Sequence, residues 1–135
     1  TVSSEYSAHH LQVLEGLDVF PEIDVVLVAE GPATVRAPDV VVMRSGTDLS
    51  SLVHASEVLL AVEIISPGTS GVDRVMKRYE YARAGIAHYW IVEPDHSLLA
   101  LELGPDGDYV EAGPRATGTF RTELPFPVEI DLTRL

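Results

Sequence analysis

Two carboxylates interrupt apolar stretches of this sequence, and the chain's single lysine lies a short distance downstream. Asp39 stands in the segment APDVVVM and Glu63 in the segment LLAVEII, and the aliphatic residues around each one predict a buried strand. A lone carboxylate in apolar surroundings is costly unless positive charge meets it. Two carboxylates and an amine such as Lys77, brought together on neighbouring elements, can hold a divalent metal and act on a phosphodiester.

Each of these residues also has a structural explanation that involves no chemistry. Glu63 could be a core carboxylate that pairs with an arginine, and Arg36 and Arg74 are candidates for that role. Asp39 follows a proline and could belong to a turn at a strand end. Together with Lys77, the two carboxylates could form a buried ion network with a purely structural role. The residues themselves leave this alternative open beside a metal site.

Hydrophobic periodicity and turn residues predict a helix, three strands, a second helix, a fourth strand and a hairpin. The first helix covers residues 3–15, and the three strands cover residues 19–28, 34–43 and 57–66. The second helix covers residues 72–84, the fourth strand lies in HYWIVEPD, and LLALELGPDGDYVEA forms the hairpin. We expect a loop with a helical turn at 48–56, and short edge strand and loop in GTFRTELPFPVEIDL. The strand, helix and strand in succession predict a parallel crossover, so the fold class is α/β with a mixed sheet.

Strand alternation predicts where the two carboxylates point. Glu63 shares a strand face with Ile65, and Asp39 shares one with Val41. If the second and third strands are adjacent, Asp39 and Glu63 can lie on one face near the same end of the sheet. The second helix can fold back over that end and bring Lys77, which projects from its second turn, to the carboxylates.

The second helix has clear end signals. Ser70 can cap its first turn, Asp73 suits the dipole at its N-terminus, and Gly85 ends it. Asp73 and Lys77 are four residues apart, which by itself predicts an ordinary ion pair on a helix surface.

An apolar stripe runs along the same helix at spacings of three and four residues. Its members are Val72, Val75, Met76, Tyr79 and Ala82. This periodicity predicts that the stripe packs against the sheet. Tyr81 lies outside the stripe, and we expect it at the surface.

Length and composition limit the class of protein. With 135 residues, the chain is expected to form a single domain over residues 1–135. It has no cysteine, so oxygen and nitrogen ligands would have to hold any metal, which favours Mg or Mn. The apolar runs are too short to span a bilayer and no signal-peptide pattern is visible, so we expect a cytoplasmic protein without membrane association.

The net charge of −12 opposes DNA binding on average, because phosphate neutralisation supplies most of the affinity for DNA. The basic residues are unevenly placed, however. Arg74, Lys77, Arg78 and Arg83 lie within ten positions, so the local charge can differ in sign from the global charge.

Two segments together carry a resemblance to a known family. They are APDVVV and LLAVEIISPGTSGVDRVMKRYEYARAGIAHYWIVEPD. They combine a Pro-Asp strand, a Val-Glu strand that ends in Ser-Pro, a helix with Asp, Lys and Tyr, and the sequence Tyr-Trp-Ile-Val. This combination resembles the bacterial Uma-two family of endonucleases in the PD-(D/E)xK, or restriction-endonuclease-like, superfamily. The resemblance implies a restriction-endonuclease-like core, with a mixed β-sheet flanked by helices and an added C-terminal β-hairpin.

The resemblance also implies roles for individual residues. Asp39 would be the metal-binding aspartate, Glu63 would be the acidic residue of the (D/E)xK strand, and the backbone carbonyl after Glu63 would be a further metal ligand. The lysine of that motif is absent, because Ile65 stands in its position. Lys77 is then the candidate that replaces it from the adjacent helix, and Asp73 would assist Lys77 or orient it.

These roles describe a Mg- or Mn-dependent endonuclease that hydrolyses DNA phosphodiester bonds, with Arg74 and Arg78 contacting phosphate. The superfamily commonly cuts as dimers, so the resemblance implies a homodimer, for which exposed edge strands could supply the interface. Hydrolysis of a small nucleotide or a structured RNA is a related alternative. A different alternative is a catalytically degenerate nuclease fold that binds a protein partner in a defence or mobile-element complex. The acidic composition favours that alternative, because an acidic surface suits a basic protein better than DNA.

Overall fold

A six-stranded mixed sheet forms the centre of the fold in the computed structural model, which describes residues 16–27, 34–50 and 52–135. The strands are β1 (Leu17–Pro21), β2 (Val25–Val26), β3 (Val35–Arg36), β4 (Val40–Arg44), β5 (Val53–His54), β6 (Val58–Ile64), β7 (His88–Val92), β8 (Leu98–Leu103), β9 (Tyr109–Glu111), β10 (Thr119–Thr122) and β11 (Val128–Asp131). Within the described residues there is one α-helix, α1 (Gly71–Arg83), and there are short 3-10 helices at Ala55–Glu57 and Leu132–Arg134.

The order of strands in the central sheet is β1-β4-β6-β7-β8-β9. Strands β6 and β7 are parallel and are connected through α1, and the other neighbouring pairs are antiparallel. Strands β3, β2 and β5 form a second sheet, and β10 and β11 form a third. The predicted α/β class, the mixed sheet and the parallel crossover are therefore confirmed.

Both faces of the central sheet are buried, which explains why β4 and β6 are almost continuously apolar. One face packs against α1, through Tyr81 and Ala82, and against the small sheet that contains β2 and β5. The opposite face is covered by the C-terminal hairpin, where the Phe120 ring meets the Trp90 ring edge-on at a centroid distance of 5.0 Å. The first of these faces is the one that carries Glu63.

The ends of α1 agree with the sequence prediction. Ser70 is the N-cap, and its hydroxyl accepts a hydrogen bond of 3.0 Å from the backbone N–H of Asp73. Beyond the last turn, Gly85 has a φ of +84°, a conformation that glycine adopts with little strain. These caps place the helix so that it begins beside the C-terminal ends of β6 and β7.

The predicted orientation of α1 is wrong. Four of the five stripe residues face away from the sheet, and the exposed fractions are 71% for Val72, 69% for Val75, 49% for Met76 and 59% for Tyr79. Tyr81, expected at the surface, is fully buried against the sheet instead. The helix is turned this way because the Tyr81 hydroxyl bonds a buried carboxylate that only the inward side of the helix can reach.

The boundaries of several elements also differ from the prediction. The strand predicted at 19–28 is two strands, β1 and β2, within its described part, and the one predicted at 34–43 is divided into β3 and β4 by Ala37, Pro38 and Asp39. Residues 48–56 contain β5 and a 3-10 turn. The hairpin of β8 and β9 is confirmed as part of the central sheet. The helix predicted at 3–15 lies outside the described residues.

The C-terminal region is more ordered than the prediction of short edge strand and loop. Strands β10 and β11 pair with each other in register from Thr119↔Asp131 to Thr122↔Val128. They do not extend the central sheet, and their apolar side chains cover its second face. In the described part of the chain, no helix is long and apolar enough to cross a membrane.

Candidate active site

Asp39 and Glu63 come together where β4 begins and β6 ends. The antiparallel register pairs Val40 with Val62, so its continuation by one residue sets Asp39 opposite Glu63. The Oδ2 atom of Asp39 accepts a hydrogen bond of 2.6 Å from the backbone N–H of Ile64. The neighbouring strand β6 thus holds the Asp39 side chain. Asp39 therefore does more than stabilise a local turn.

Glu63 is a buried carboxylate with two polar contacts at one of its oxygens. Glu63 is 4% exposed, and its Oε2 atom accepts a hydrogen bond of 2.6 Å from the Tyr81 hydroxyl. The Nζ atom of Lys77 lies 3.8 Å from the same oxygen. Burial raises the pKa of Glu63 to about 7, although Tyr81 and Lys77 act in the opposite direction, and nearby Asp39 raises it further.

The arginines considered as partners for Glu63 bind other carboxylates. Arg36 makes a bidentate pair with Glu80, with distances of 2.8 Å and 2.9 Å. Arg74 donates to Glu93 at the end of β7. Glu63 is therefore not a core carboxylate neutralised by an arginine, and its positive neighbour is Lys77.

Lys77 reaches the carboxylates from the second turn of α1. Its Nζ atom lies 3.3 Å from Asp73 Oδ2, so it stands between a partly exposed carboxylate and the buried one. Ile65, which occupies the motif position of the missing lysine, donates its backbone N–H to the carbonyl of Val92. The helix thus supplies an amine near Glu63 where the strand supplies an aliphatic side chain.

Tyr81 is the site residue that sequence reasoning missed. Its ring contacts the Tyr89 ring edge-on at a centroid distance of 5.0 Å, and Tyr89 packs in turn against Tyr109. Burial raises the pKa of Tyr81 far above its usual range, and the charge of Glu63 adds to this shift, so the hydroxyl stays protonated and donates. A signal was present in the sequence, because Asp73, Lys77 and Tyr81 follow one another at intervals of four and so share one helix face.

The two arginines predicted to contact phosphate lie on α1 with contacts of their own. Arg74 shares Glu93 with Arg115, whose Nη1 atom lies 3.5 Å from that carboxylate. The Nη2 atom of Arg78 donates to the backbone carbonyl of Tyr109 over 3.4 Å. The Arg74 side chain is 39% exposed, so it can still meet a ligand near the start of the helix.

The donors at this site fit a hard divalent cation. In the part of the chain that the structure describes, no group of three or more His, Asp or Glu side chains is arranged around one point. Mg²⁺, however, is commonly bound through one or two carboxylates, with water and substrate phosphate completing its coordination. Asp39 and Glu63 provide two such carboxylates, and the raised pKa of Glu63 means that its charge is poorly compensated without a cation.

Comparisons with known proteins identify the family and the fold. Residues 6–134 match the Uma2 family, which is described as "Putative restriction endonuclease". The chain belongs to this family. Among solved structures, the Uma2 chain is similar to a crystal structure of "a putative nuclease belonging to DUF820" from Anabaena variabilis. The TM-score is 0.59 at 14% identity, and the match covers 98% of this chain and 74% of the other, which shows a shared nuclease-like fold. None of the curated proteins matches this chain.

Proposed function

We propose that this Uma2 protein is a metal-dependent endonuclease that hydrolyses phosphodiester bonds in DNA. One observation carries the proposal: Asp39 at the start of β4 lies beside Glu63 of β6, and the Nζ atom of Lys77 on α1 lies 3.8 Å from the same glutamate. A structural ion network is the competing explanation, because Glu63 contacts Tyr81 and Lys77 in either case, and it differs in predicting that the loss of the Glu63 charge destabilises the metal-free protein.

The two carboxylates would hold Mg or Mn. When bound, such a cation supplies positive charge to the phosphate and activates water for attack. Glu63 is suited to this role because the Tyr81 hydroxyl fixes its Oε2 atom and thereby the orientation of the whole carboxylate. Asp39 is fixed in the same way by the N–H of Ile64. Both groups are therefore oriented before a cation arrives, which reduces the cost of binding it.

Lys77 would stabilise negative charge on the phosphate in the transition state. Its ammonium group now lies 3.3 Å from Asp73 and 3.8 Å from Glu63, and its side chain is 27% exposed, so a phosphate can reach it from solvent. A fixed positive charge at the point where negative charge develops is one of the larger contributions to catalysis. Asp73 orients Lys77, since the two side chains are four residues apart on one helix.

DNA would approach over the start of α1, where the partly exposed Arg74 and the neighbouring Arg78 contact phosphate. The net charge of −12 predicts that binding is weak and falls steeply with salt. A homodimer and a cytoplasmic location belong to the same proposal.

Nicking of supercoiled plasmid at low salt with Mn²⁺ tests this function. We expect the wild type to nick, and Glu63→Gln and Lys77→Met to lose nicking. Glu129→Gln is the matched control, because it also neutralises one carboxylate, but on the exposed β10–β11 hairpin, where Glu129 pairs with Arg121. Loss in Glu63→Gln alone would leave a metal site and remove the proposed role of Lys77.

Absence of nicking in the wild type, under conditions where a control nuclease cuts, would contradict the endonuclease. It would favour the catalytically degenerate fold that acts through protein binding. The strongly acidic composition is the observation that keeps this second candidate open.

A further inference from the structure

Two arginines meet at one carboxylate near the start of α1, and we call Arg74, Glu93 and Arg115 the Glu93 cluster. Arg74 on α1 donates through Nη2 to the Oε2 atom of Glu93. The Nη1 atom of Arg115 lies 3.5 Å from the same oxygen and 3.4 Å from the hydroxyl of Ser97. Arg115 comes from the segment between β9 and β10, so the cluster joins the C-terminal part of the chain to the helix that carries Lys77.

The Glu93 cluster lies on the face of the sheet that carries Glu63. Tyr89 and Ile91 on β7 point to this face, and alternation places Glu93, which follows β7, on the same side. Glu63 pairs with Ile91 in the parallel register, so Glu93 lies one strand away and two residues further along. At about 3.3 Å per residue and about 4.8 Å between strands, the Cα atoms of Glu63 and Glu93 lie about 8 Å apart. A nucleic-acid strand bound at Glu63 would therefore lie within the reach of both arginine side chains.

The Glu93 cluster carries more positive charge than its carboxylate neutralises. The side chains of Arg74 and Arg115 are 39% and 44% exposed, whereas that of Glu93 is 14% exposed. Asp95, a neighbouring carboxylate, is exposed to water and accepts hydrogen bonds from the N–H and the hydroxyl of Ser97. The chain has 21 acidic and 9 basic residues, so neutralisation alone would pair each arginine with a carboxylate of its own. Two arginines that share one carboxylate leave positive charge for a ligand.

Most N–H donors of the two guanidinium groups are available to that ligand. Each guanidinium has five N–H donors. Within the part of the chain that the structure describes, Arg74 uses Nη2 for Glu93, and Arg115 uses Nη1 for Glu93 and Ser97. The planar fork of donors in arginine matches the oxygens of a phosphate group and can bind two of them at once.

We propose that Arg115 and Arg74 together bind one phosphate of the DNA substrate beside the candidate active site, between the two guanidinium groups that Glu93 brings together. The inference rests on the proposed function for its substrate, and it adds Arg115 as a substrate-binding residue. The backbone holds Arg115 in place, because the next residue, Ala116, forms two hydrogen bonds of 2.9 Å with Leu98 on β8.

Fluorescence anisotropy of a labelled DNA duplex tests this contact, because it measures binding without requiring cleavage. The full chain is titrated at salt concentrations from about 50 to 200 mM, in a chelator and again in Ca²⁺, a cation that takes oxygen ligands. Arg115→Gln should bind about tenfold more weakly than the wild type, and its salt slope should fall by about one. Arg121→Gln is the matched control, because it removes an exposed arginine from an ion pair with Glu129 on the β10–β11 hairpin. It should bind within about twofold of the wild type.

The double variant Arg74→Gln/Arg115→Gln tests whether the two arginines share one phosphate. The salt slope counts the phosphates that a protein neutralises, so a shared phosphate predicts a fall of about one in the double variant as well. A fall of about two would show two separate phosphates and overturn the shared site. Equal binding by Arg115→Gln and Arg121→Gln, or no DNA binding by the wild type, overturns the inference.

Nicking of supercoiled plasmid with Mn²⁺ separates this inference from the proposed function. We expect Arg115→Gln to raise KM and to leave kcat unchanged, because the lost contact is made equally before and during the reaction. If the wild type nicks and Arg115→Gln has the same KM, the endonuclease stands and the role of Arg115 is refuted. If the wild type binds DNA through Arg115 but does not nick, the endonuclease is refuted and the phosphate contact stands.

Discussion

Replacing Glu63 by glutamine is predicted to stabilise the metal-free protein at alkaline pH. Burial raises the pKa of Glu63 from an ordinary value of 4.5 to about 7. In the unfolded chain, the carboxyl group ionises as the pH rises through 4.5, whereas the folded protein keeps its proton until about pH 7. The folded state binds more protons over this window, so the free energy of unfolding falls as the pH rises.

The size of the effect follows from the same shift. A difference of about 2.5 pKa units corresponds to about 3 kcal/mol of stability, which is present below pH 4.5 and lost above about pH 7. Glutamine has a similar shape and carries no charge, so Glu63→Gln should avoid this loss. Lys77 keeps Asp73 as its partner at 3.3 Å, so the substitution leaves no isolated cation behind.

Urea unfolding with a chelator at pH 5 and pH 8 measures the difference. We expect Glu63→Gln to match the wild type within about 1 kcal/mol at pH 5 and to exceed it by up to about 3 kcal/mol at pH 8. The exposed-site control Glu129→Gln should differ from the wild type by less than about 1 kcal/mol at both pH values. A loss of about 3–5 kcal/mol in Glu63→Gln at pH 8 would refute this reasoning, since that cost is the sign of a broken buried ion network.

Substitutions at three further positions test neighbouring contacts. Asp39→Ala should lower the free energy of unfolding in urea by about 1–3 kcal/mol, because the N–H of Ile64 loses its acceptor. Asp39→Asn keeps an acceptor oxygen and should lower it by less. An equal loss of stability in both variants would contradict the role given to this hydrogen bond. Tyr81→Phe should raise the pKa of Glu63 further, because the Tyr81 hydroxyl no longer donates to the carboxylate. In calorimetric titrations, Mn²⁺ binding should therefore be weaker at pH 7 and recover at higher pH. A loss of Mn²⁺ binding that is the same at every pH would contradict a positioning role for Tyr81. Lys77→Met should bind Mn²⁺ at least as tightly as the wild type while nicking falls about 10²-fold or more, and weaker Mn²⁺ binding would contradict the proposed role.

Sequence reasoning predicts those parts of the fold that depend on short-range patterns. The Ser70 cap and the turn at Gly85 are local, and both are confirmed. The alternation of side chains along strands, with adjacency of the second and third strands, was enough to bring Asp39 and Glu63 together. The pairing of β10 with β11 was missed, because both strands are short and pair only with each other.

The orientation of α1 could not be read from periodicity. An apolar stripe indicates a helix, but it does not decide which side of the helix meets the sheet when the opposite side carries Tyr81 and Lys77. The deciding contacts are long-range ones, from Tyr81 to Glu63 and from Glu80 to Arg36, over separations of 18 and 44 residues. The tertiary structure decides which residues pair over such separations. For the same reason, Arg36 and Arg74, the arginine partners considered for Glu63, bind other carboxylates.

Calorimetric titration of the metal-free protein with Mn²⁺ tests the central claim most directly. At pH 8 the wild type should bind one Mn²⁺, and at pH 6.5 it should bind more weakly and release part of a proton, because the pKa of Glu63 is about 7. Asp39→Asn and Glu63→Gln should lose this binding, and Glu129→Gln should retain it. Absence of Mn²⁺ binding in the wild type, or unchanged binding in Glu63→Gln, would contradict the account.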